Sequence, residues 1–294
     1  MLDFVYFPVS AALWGWHRLF AVALGSAHGL GWLLAVLALI VTVRALLVMP
    51  ALRQARSQAS LRALQPRIDS IRRTHRDDSR AQAEQLRALH REHGVRLLAP
   101  MVPMLAQALV FLGLFHVLRS FDRTGTFTVG PFTSTDQPLS VEDNAATANY
   151  LFGAPEVGAF LEARLFGAPL SATLTGAGEL FAAVAVSAVP LALIAALATH
   201  LTARMTPVVA DNGTAGLMRM LSLWVFPVGA LIGGAILPVV VLAYFAANAV
   251  WTCAQQYLIR RKLDAEATAR EALVRRAARA VPPRPGAKPV RRRK

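Results

Sequence analysis

Apolar residues fall into five long runs along this chain, and most of the charged residues lie between them. The runs are Gly31 to Met49, Leu97 to Leu118, Leu180 to Leu201, Leu217 to Gly234, and Ala235 to Ile259. Each is close to the roughly 20 residues an α-helix needs to cross a hydrocarbon layer about 30 Å thick. The pattern therefore predicts an all-α polytopic membrane protein with five transmembrane helices. The last two runs are nearly contiguous, and a single helix over both would be about twice the bilayer. Gly233-Gly234 and Pro238 are read as the turn between two antiparallel helices.

The segments between the runs have patterns of their own. From Pro8 to Leu24, Leu13, Trp16, Phe20 and Leu24 make a helical stripe beside His17 and Arg18, which predicts an interfacial amphipathic helix within an external N-terminus, residues 1–30. A further span is the alternative there. In residues 51–96, Leu61, Leu64, Ile68 and Ile71 recur at spacings of three and four, and a polar break precedes a second stretch bearing Leu86 and Leu89. This is a helical hairpin, with Asp78 or Ser79 as the cap of its second arm, Gly94 as that arm's end, and Pro66 as a kink in the first. Residues 119–178 form a long loop and 202–216 a short one. Beyond about residue 280 the sequence PPRPGAKPVRRRK has too few apolar groups to pack and is expected to be disordered.

Charge sets the orientation. The connection 51–96 holds 11 Arg against 5 acidic residues, 119–178 holds 3 Arg against 6 acidic, and 260–294 holds 13 basic against 3 acidic. The positive-inside bias then places 51–96 and the tail in the cytoplasm and the 119–178 loop outside. Five spans agree with termini on opposite sides, the N-terminus outside. The net charge of +14 is largely explained by this topology, and 55% hydrophobic content with mean hydropathy +0.45 agrees with membrane residence. The N-terminus lacks a basic region and a small-residue cleavage site, so it is not expected to be a cleaved signal peptide. One cysteine, Cys253, excludes an intrachain disulfide framework.

The polar candidates inside the runs are Thr42, Arg44, Gln107, His116, Ser187, His200 and Asn248, with Glu179 only opening the third. No mid-membrane carboxylate is available for coupling to protons or sodium, and no phosphate-binding glycine loop is present. The GSAH at Gly25 to His28 and the HREHG at 90–94 lack the partners and spacing of a protease dyad or a zinc site, so neither catalysis nor a metal or other cofactor is expected. Arg44 is the exception that needs a reason, since an arginine near mid-helix costs about 2.5 to 3.5 kcal/mol on insertion scales. Two readings stay open: it faces water, protein or substrate, or its long stem carries the guanidinium to the interface near Pro50. A water-filled groove with one cation would lower the desolvation cost of polar segments of a passing polypeptide.

Several stretches resemble the YidC family of membrane protein insertases. YFPVSAALWGWHRLF is similar to the family's start, VRALLVMP to the segment bearing its groove arginine, and LRALQPRIDSIRR to its cytoplasmic hairpin. HREHGVRLLAPMVPMLAQALVFLGLFHVLRSF and LPVVVLAYFAANAVWTCAQQYLIRR are similar to its second and last core spans. Order and spacing agree over roughly Tyr6 to Arg119 and Leu217 to Arg261. The resemblance implies a five-span core around a hydrophilic groove open to the cytoplasm and the lipid and closed outside. It places Arg44, Tyr244, Gln107 and Asn248 on that groove and has the hairpin receive nascent membrane proteins in a bacterial plasma membrane. It also implies a basic tail, including Arg291, Arg292, Arg293 and Lys294, that touches ribosomes; anionic lipids explain that charge equally well. Cooperation with the Sec translocon is a further possibility. The lack of a large domain before the first span matches the short, Gram-positive or actinobacterial type.

Two departures stand out. Where the family has Asn-Pro and then Gly-Cys before the second span, this chain reads Arg96-Leu97-Leu98-Ala99-Pro100-Met101-Val102-Pro103, and Ala243 replaces a second aromatic beside Tyr244. A solute channel using Arg44 as an anion site and a scaffold that holds clients after insertion are the competing functions. For single residues, Tyr244 can also be an interfacial anchor, and Gln107 and Asn248 interhelical hydrogen-bond partners.

Overall fold

A computed structural model describes residues 3–92, 101–125, 138–206 and 215–280. Gly94, the entrance of the second span at 96–100 and Arg291 to Lys294 lie outside these residues, as does the side chain of Leu61. Ten α-helices and one short hairpin are found among the described residues. Three helical stretches are long and apolar enough to cross a membrane: Gly29–Ser57, Gly178–Met205 and Gly216–Ile236; Leu105–Arg119 is a shorter apolar helix. The protein is therefore membrane-embedded and helical. The last predicted span differs in form, because its apolar residues begin a 42-residue helix that runs on into charged sequence.

Helix α1, Asp3–Leu24, begins before the predicted start and buries Val9, Ser10, Leu13 and His17. The expected stripe through Trp16, Phe20 and Leu24 is instead half-buried or exposed. The face is rotated because His17 has a site in the core: its ring stacks on Trp32 at 3.6 Å between centroids and its Nε2 meets the Ser26 carbonyl at 3.2 Å. Helix α2, Gly29–Thr74, continues without a break through Pro50 and Pro66 and joins the first apolar run to the first arm of the hairpin. His28 caps it, Nδ1 accepting from Leu30 N at 3.2 Å, which gives the GSAH segment a structural role. Helix α3, Ser79–Glu92, is opened by Asp78, whose Oδ1 accepts from Arg80 N and Ala81 N. Leu64, Ile68 and Leu89 are buried between α2 and α3, with Ile71 and Leu86 against them.

Helix α4, Met101–Arg119, packs chiefly on α1. Gly113 permits their approach, since a Cβ there would lie 2.9 Å from Val5 Cγ1 and 3.1 Å from Val9 Cγ2. Tyr6 stacks on His116 at 4.2 Å, near the end of α4, while His17 meets the beginning of α2. Helix α1 thus lies across one end of the bundle.

The same end is covered by residues 119–125 and 138–178, whose local pattern gave no hint of structure. It contains α5 (Val141–Ala146), α6 (Ala154–Glu162), and an antiparallel hairpin of β1 (Arg164–Leu165) and β2 (Ala168–Pro169). Phe121, Phe152 and Phe160 surround Trp32 at centroid distances of 5.3, 5.5 and 5.1 Å, and all four are fully buried. Asn144 Nδ2 donates to the Phe121 carbonyl and Asn149 Nδ2 to that of Val117, so the buried amides are paired. His116 Nε2 meets the Tyr150 hydroxyl at 2.8 Å.

Helix α7, Phe181–Met205, packs on the remaining two apolar elements. The first comprises α8 (Ala215–Met220), a π-turn (Leu221–Val225) and α9 (Phe226–Ile236). Pro227 has no N–H to return to the Leu223 carbonyl four residues earlier, and His200 Nδ1 on α7 donates to that carbonyl at 2.8 Å. The π-turn is explained by this exchange of donors. Gly234 lets α9 touch α7, as a Cβ would stand 2.5 Å from Ala192 Cβ. After Leu237, extended at ψ 144°, α10 (Val239–Ala280) starts, and its first N–H groups donate to the carbonyls of Ala172 and Leu170 in the 119–178 segment.

Candidate functional site

The four polar residues that the resemblance gathers on a groove do meet in space, on three helices. On α10, Tyr244, Asn248 and Thr252 follow at intervals of four and share one face; α2 brings Arg44 and α4 brings Gln107 to it. Arg44 Nε and Nη2 both donate to Asn248 Oδ1, at 3.2 and 2.6 Å, and Nη2 also donates to Thr252 Oγ1 at 2.8 Å. Thr252 is locked by its own bond to the Asn248 carbonyl at 2.8 Å. The guanidinium is thus held across to α10.

Gln107 Nε2 donates to the Tyr244 hydroxyl at 3.2 Å and approaches Asn248 Oδ1 at 3.4 Å, while its Oε1 is buried without a partner among the described residues. Tyr244 is only 3% exposed and stacks on Phe111 at 5.9 Å. It lies beneath the site, on a void of about 10 Å³ shared with Leu39, Val43 and Val110.

Above this layer opens a cavity of about 350 Å³. Its walls are Arg44, Gln54, Gln107, Thr252, Gln255 and Gln256 together with Leu47, Ala51, Ala55 and Ile259. Among the described residues the lining contains one cation, four amides and a hydroxyl, and no carboxylate. An acidic or carbonyl-rich group would find donors there and no repelling charge. Thr252, Gln54, Gln255 and Gln256 were not singled out from sequence, although the four-residue spacing from Tyr244 through Asn248 pointed to Thr252.

A second cavity, about 310 Å³ and mainly apolar, lies across Gln255 and Ile259 from the first, between Val48 and Leu52 of α2 and Trp251 and Leu258 of α10. Trp251 Nε1 donates to Gln255 Oε1 at 3.0 Å, fixing the amide that both cavities share. Polar and apolar spaces are therefore separated by one layer of side chains. Farther along the same two helices, Arg56 and Glu266 form an ion pair at 3.0 Å.

Comparison with known proteins identifies the family of the chain. The family profile described as 60Kd inner membrane protein matches residues 23–266. Membrane protein insertase YidC of Mycolicibacterium paratuberculosis is 43% identical over 99% of this chain and 84% of its own length. The protein of the same name from Mycobacterium leprae is 40% identical over 98% of this chain and 77% of its own, and that from Streptomyces avermitilis is 29% identical over 94% and 62%. The chain therefore belongs to the 60Kd inner membrane protein family, the YidC family that its motifs resemble.

Proposed function

We propose that this protein is a membrane protein insertase that works without covalent catalysis. It receives hydrophobic segments of nascent membrane proteins in the Arg44 cavity and releases them sideways into the bilayer. The observation that carries this reading is the cavity itself, a polar space of about 350 Å³ with Arg44 in its wall and an apolar space immediately beside it. A short polar flank of a client stays solvated against amides and the guanidinium, which lowers its transfer cost, while the adjoining hydrophobic stretch meets apolar surface.

In this reading the bundle has five spans: α2, α4, α7, the α8–α9 element and the first half of α10. The N-terminus is outside the bacterial plasma membrane and the C-terminus in the cytoplasm. The cavity opens towards Gln54 and Ile259, the side that the arginine-rich 51–96 segment marks as cytoplasmic. The opposite end lies under the Trp32 cluster and α1, in keeping with a groove closed outside. The α2–α3 hairpin, through Leu61, Leu64, Ile68, Ile71, Leu86 and Leu89, stands where a client would arrive. Ribosomal RNA or anionic lipid at Arg291 to Lys294, and a neighbouring Sec translocon, complete the proposed partners.

The test is site-specific photocrosslinking to a stalled, ribosome-bound single-span client from Gln54 and Thr252, with Val41 on the exposed face of α2 as the comparison. Adducts at the two cavity positions and none at Val41 are expected. Equal labelling at all three positions, or none at any, overturns the assignment.

A further inference from the structure

Phe166 is 76% exposed at the turn of the β1–β2 hairpin and has φ 51°, a region that a bulky side chain rarely adopts. The turn residues are Phe166 and Gly167; asparagine or glycine would suit the first position better. Facing water, this placement is doubly unfavourable, once for the backbone and once for the exposed ring.

The hairpin's neighbours indicate what the ring faces. A Cβ on Gly167 would stand 3.7 Å from Ala183 Cβ, and Ser187 Oγ donates to the Leu165 carbonyl at 2.8 Å. Ala183 and Ser187 lie about 3 and 9 Å beyond the first residue of α7, at 1.5 Å per residue, and the Ser187 side chain leans back towards that end. The hairpin therefore sits beside the first two turns of an apolar helix, at the level where Phe181 and Val186 are exposed. Irregular backbone at such a level requires its polar groups to be satisfied by the protein. Four carbonyls in and beside the hairpin are satisfied in this way: that of Ala163 accepts from Leu170 N, that of Leu165 from Ser187, that of Gly167 from Arg164 Nη1, and that of Leu170 from Val240 N.

We propose that this hairpin is a lipid-inserted anchor. Phe166 enters the upper acyl chains of the adjoining leaflet beside α7, and the exposed Arg164 reaches phospholipid phosphates. The partner is a phospholipid surface, and the anchor ties the 119–178 segment to the bilayer as well as to the helices. It rests on membrane embedding alone and stands or falls independently of the insertase reading.

The test uses the full chain carrying Cys253→Ser, with a nitroxide on either Phe166→Cys or Glu142→Cys, in phosphatidylcholine–phosphatidylglycerol vesicles. The label at 166 is expected to be relaxed by oxygen and shielded from a water-soluble nickel chelate, and the label at 142 to behave oppositely. Equal nickel access at the two sites overturns the proposal. Phe166→Asn provides a second readout that does not depend on the cysteine variant folding. It relieves the turn but removes the anchor, so amide exchange across residues 163–170 in vesicles should become faster; unchanged or slower exchange overturns the proposal.

Discussion

Arg44 and Asn248 are 204 residues apart in sequence, yet two guanidinium nitrogens of the first converge on one oxygen of the second. This bond fixes α2 against α10 and fixes the direction of the positive charge. The fork geometry is specific to arginine. Arg44→Lys keeps the charge but cannot preserve all three contacts, and Arg44→Ala removes both charge and contacts. Insertion of clients with polar external segments should fall for Ala and be partly retained for Lys, with both variants folded. Loss of the charge-assisted bonds should cost about 1.5 to 3 kcal/mol of stability. An in vesicle insertion assay, run beside thermal melts in detergent, checks both.

His17 makes the end of the bundle under α1 sensitive to acid. Burial holds its pKa below the ordinary 6.5, against the opposing pull of the Ser26 carbonyl and Glu156. At 1% exposure, with Nδ1 buried and without a partner among the described residues, the ring has no place for a second proton. The folded state binds fewer protons than the unfolded one, so this stabilisation is present above about pH 6.5 and is lost as pH falls through the lowered value. The melting temperature should drop on acidification in the wild type, and that component should vanish in His17→Phe.

Two glycines on α9 separate close packing from helix propensity. Gly234→Ala places a methyl 2.5 Å from Ala192 Cβ, whereas Gly229 has nothing within 4 Å of the same addition. The first should destabilise by about 1 to 3 kcal/mol, and the second should be neutral or stabilising by up to about 1 kcal/mol. Equal denaturation midpoints for the two variants would contradict the packing described for α7 and α9.

His200 and Pro227 should be coupled. Removing the imidazole leaves the Leu223 carbonyl unpaired, at a cost of about 1 to 3 kcal/mol. Pro227→Ala restores a backbone N–H that can take its place. The double variant should therefore be less destabilised than the sum of the singles, which a double-mutant cycle in detergent measures.

How much of this was legible in the sequence depends on the range of the interactions. The four-residue spacing of Tyr244, Asn248 and Thr252 is local, and helical periodicity exposes it. The same polar residues dilute the hydrophobic signal of α10, so that among the described residues length and composition mark only three helices as able to span. The uninterrupted course of α2 was missed because Pro50 reads as a boundary. The ordering of residues 138–177 was hidden for a different reason: it depends on Trp32 and His17, more than a hundred residues earlier, and its short elements carry no long period. The rotated face of α1 has the same origin, since only the tertiary neighbour Trp32 explains why His17 turns inward.

The unbalanced charge on the cavity wall also bears on leakage. A wet space inside a membrane is a hazard to a cell that lives on ion gradients, because it shortens the path for protons and sodium. Arg44 stands among neutral amides and a hydroxyl, with no acidic residue among the described residues that line the space, so a small cation approaching the floor meets repulsion that these residues do not offset, the device by which a pore arginine excludes protons and cations. If the cavity receives polar polypeptide as proposed, the same charge makes it a poor conductor of cations, and hydration then need not come at the expense of the membrane potential.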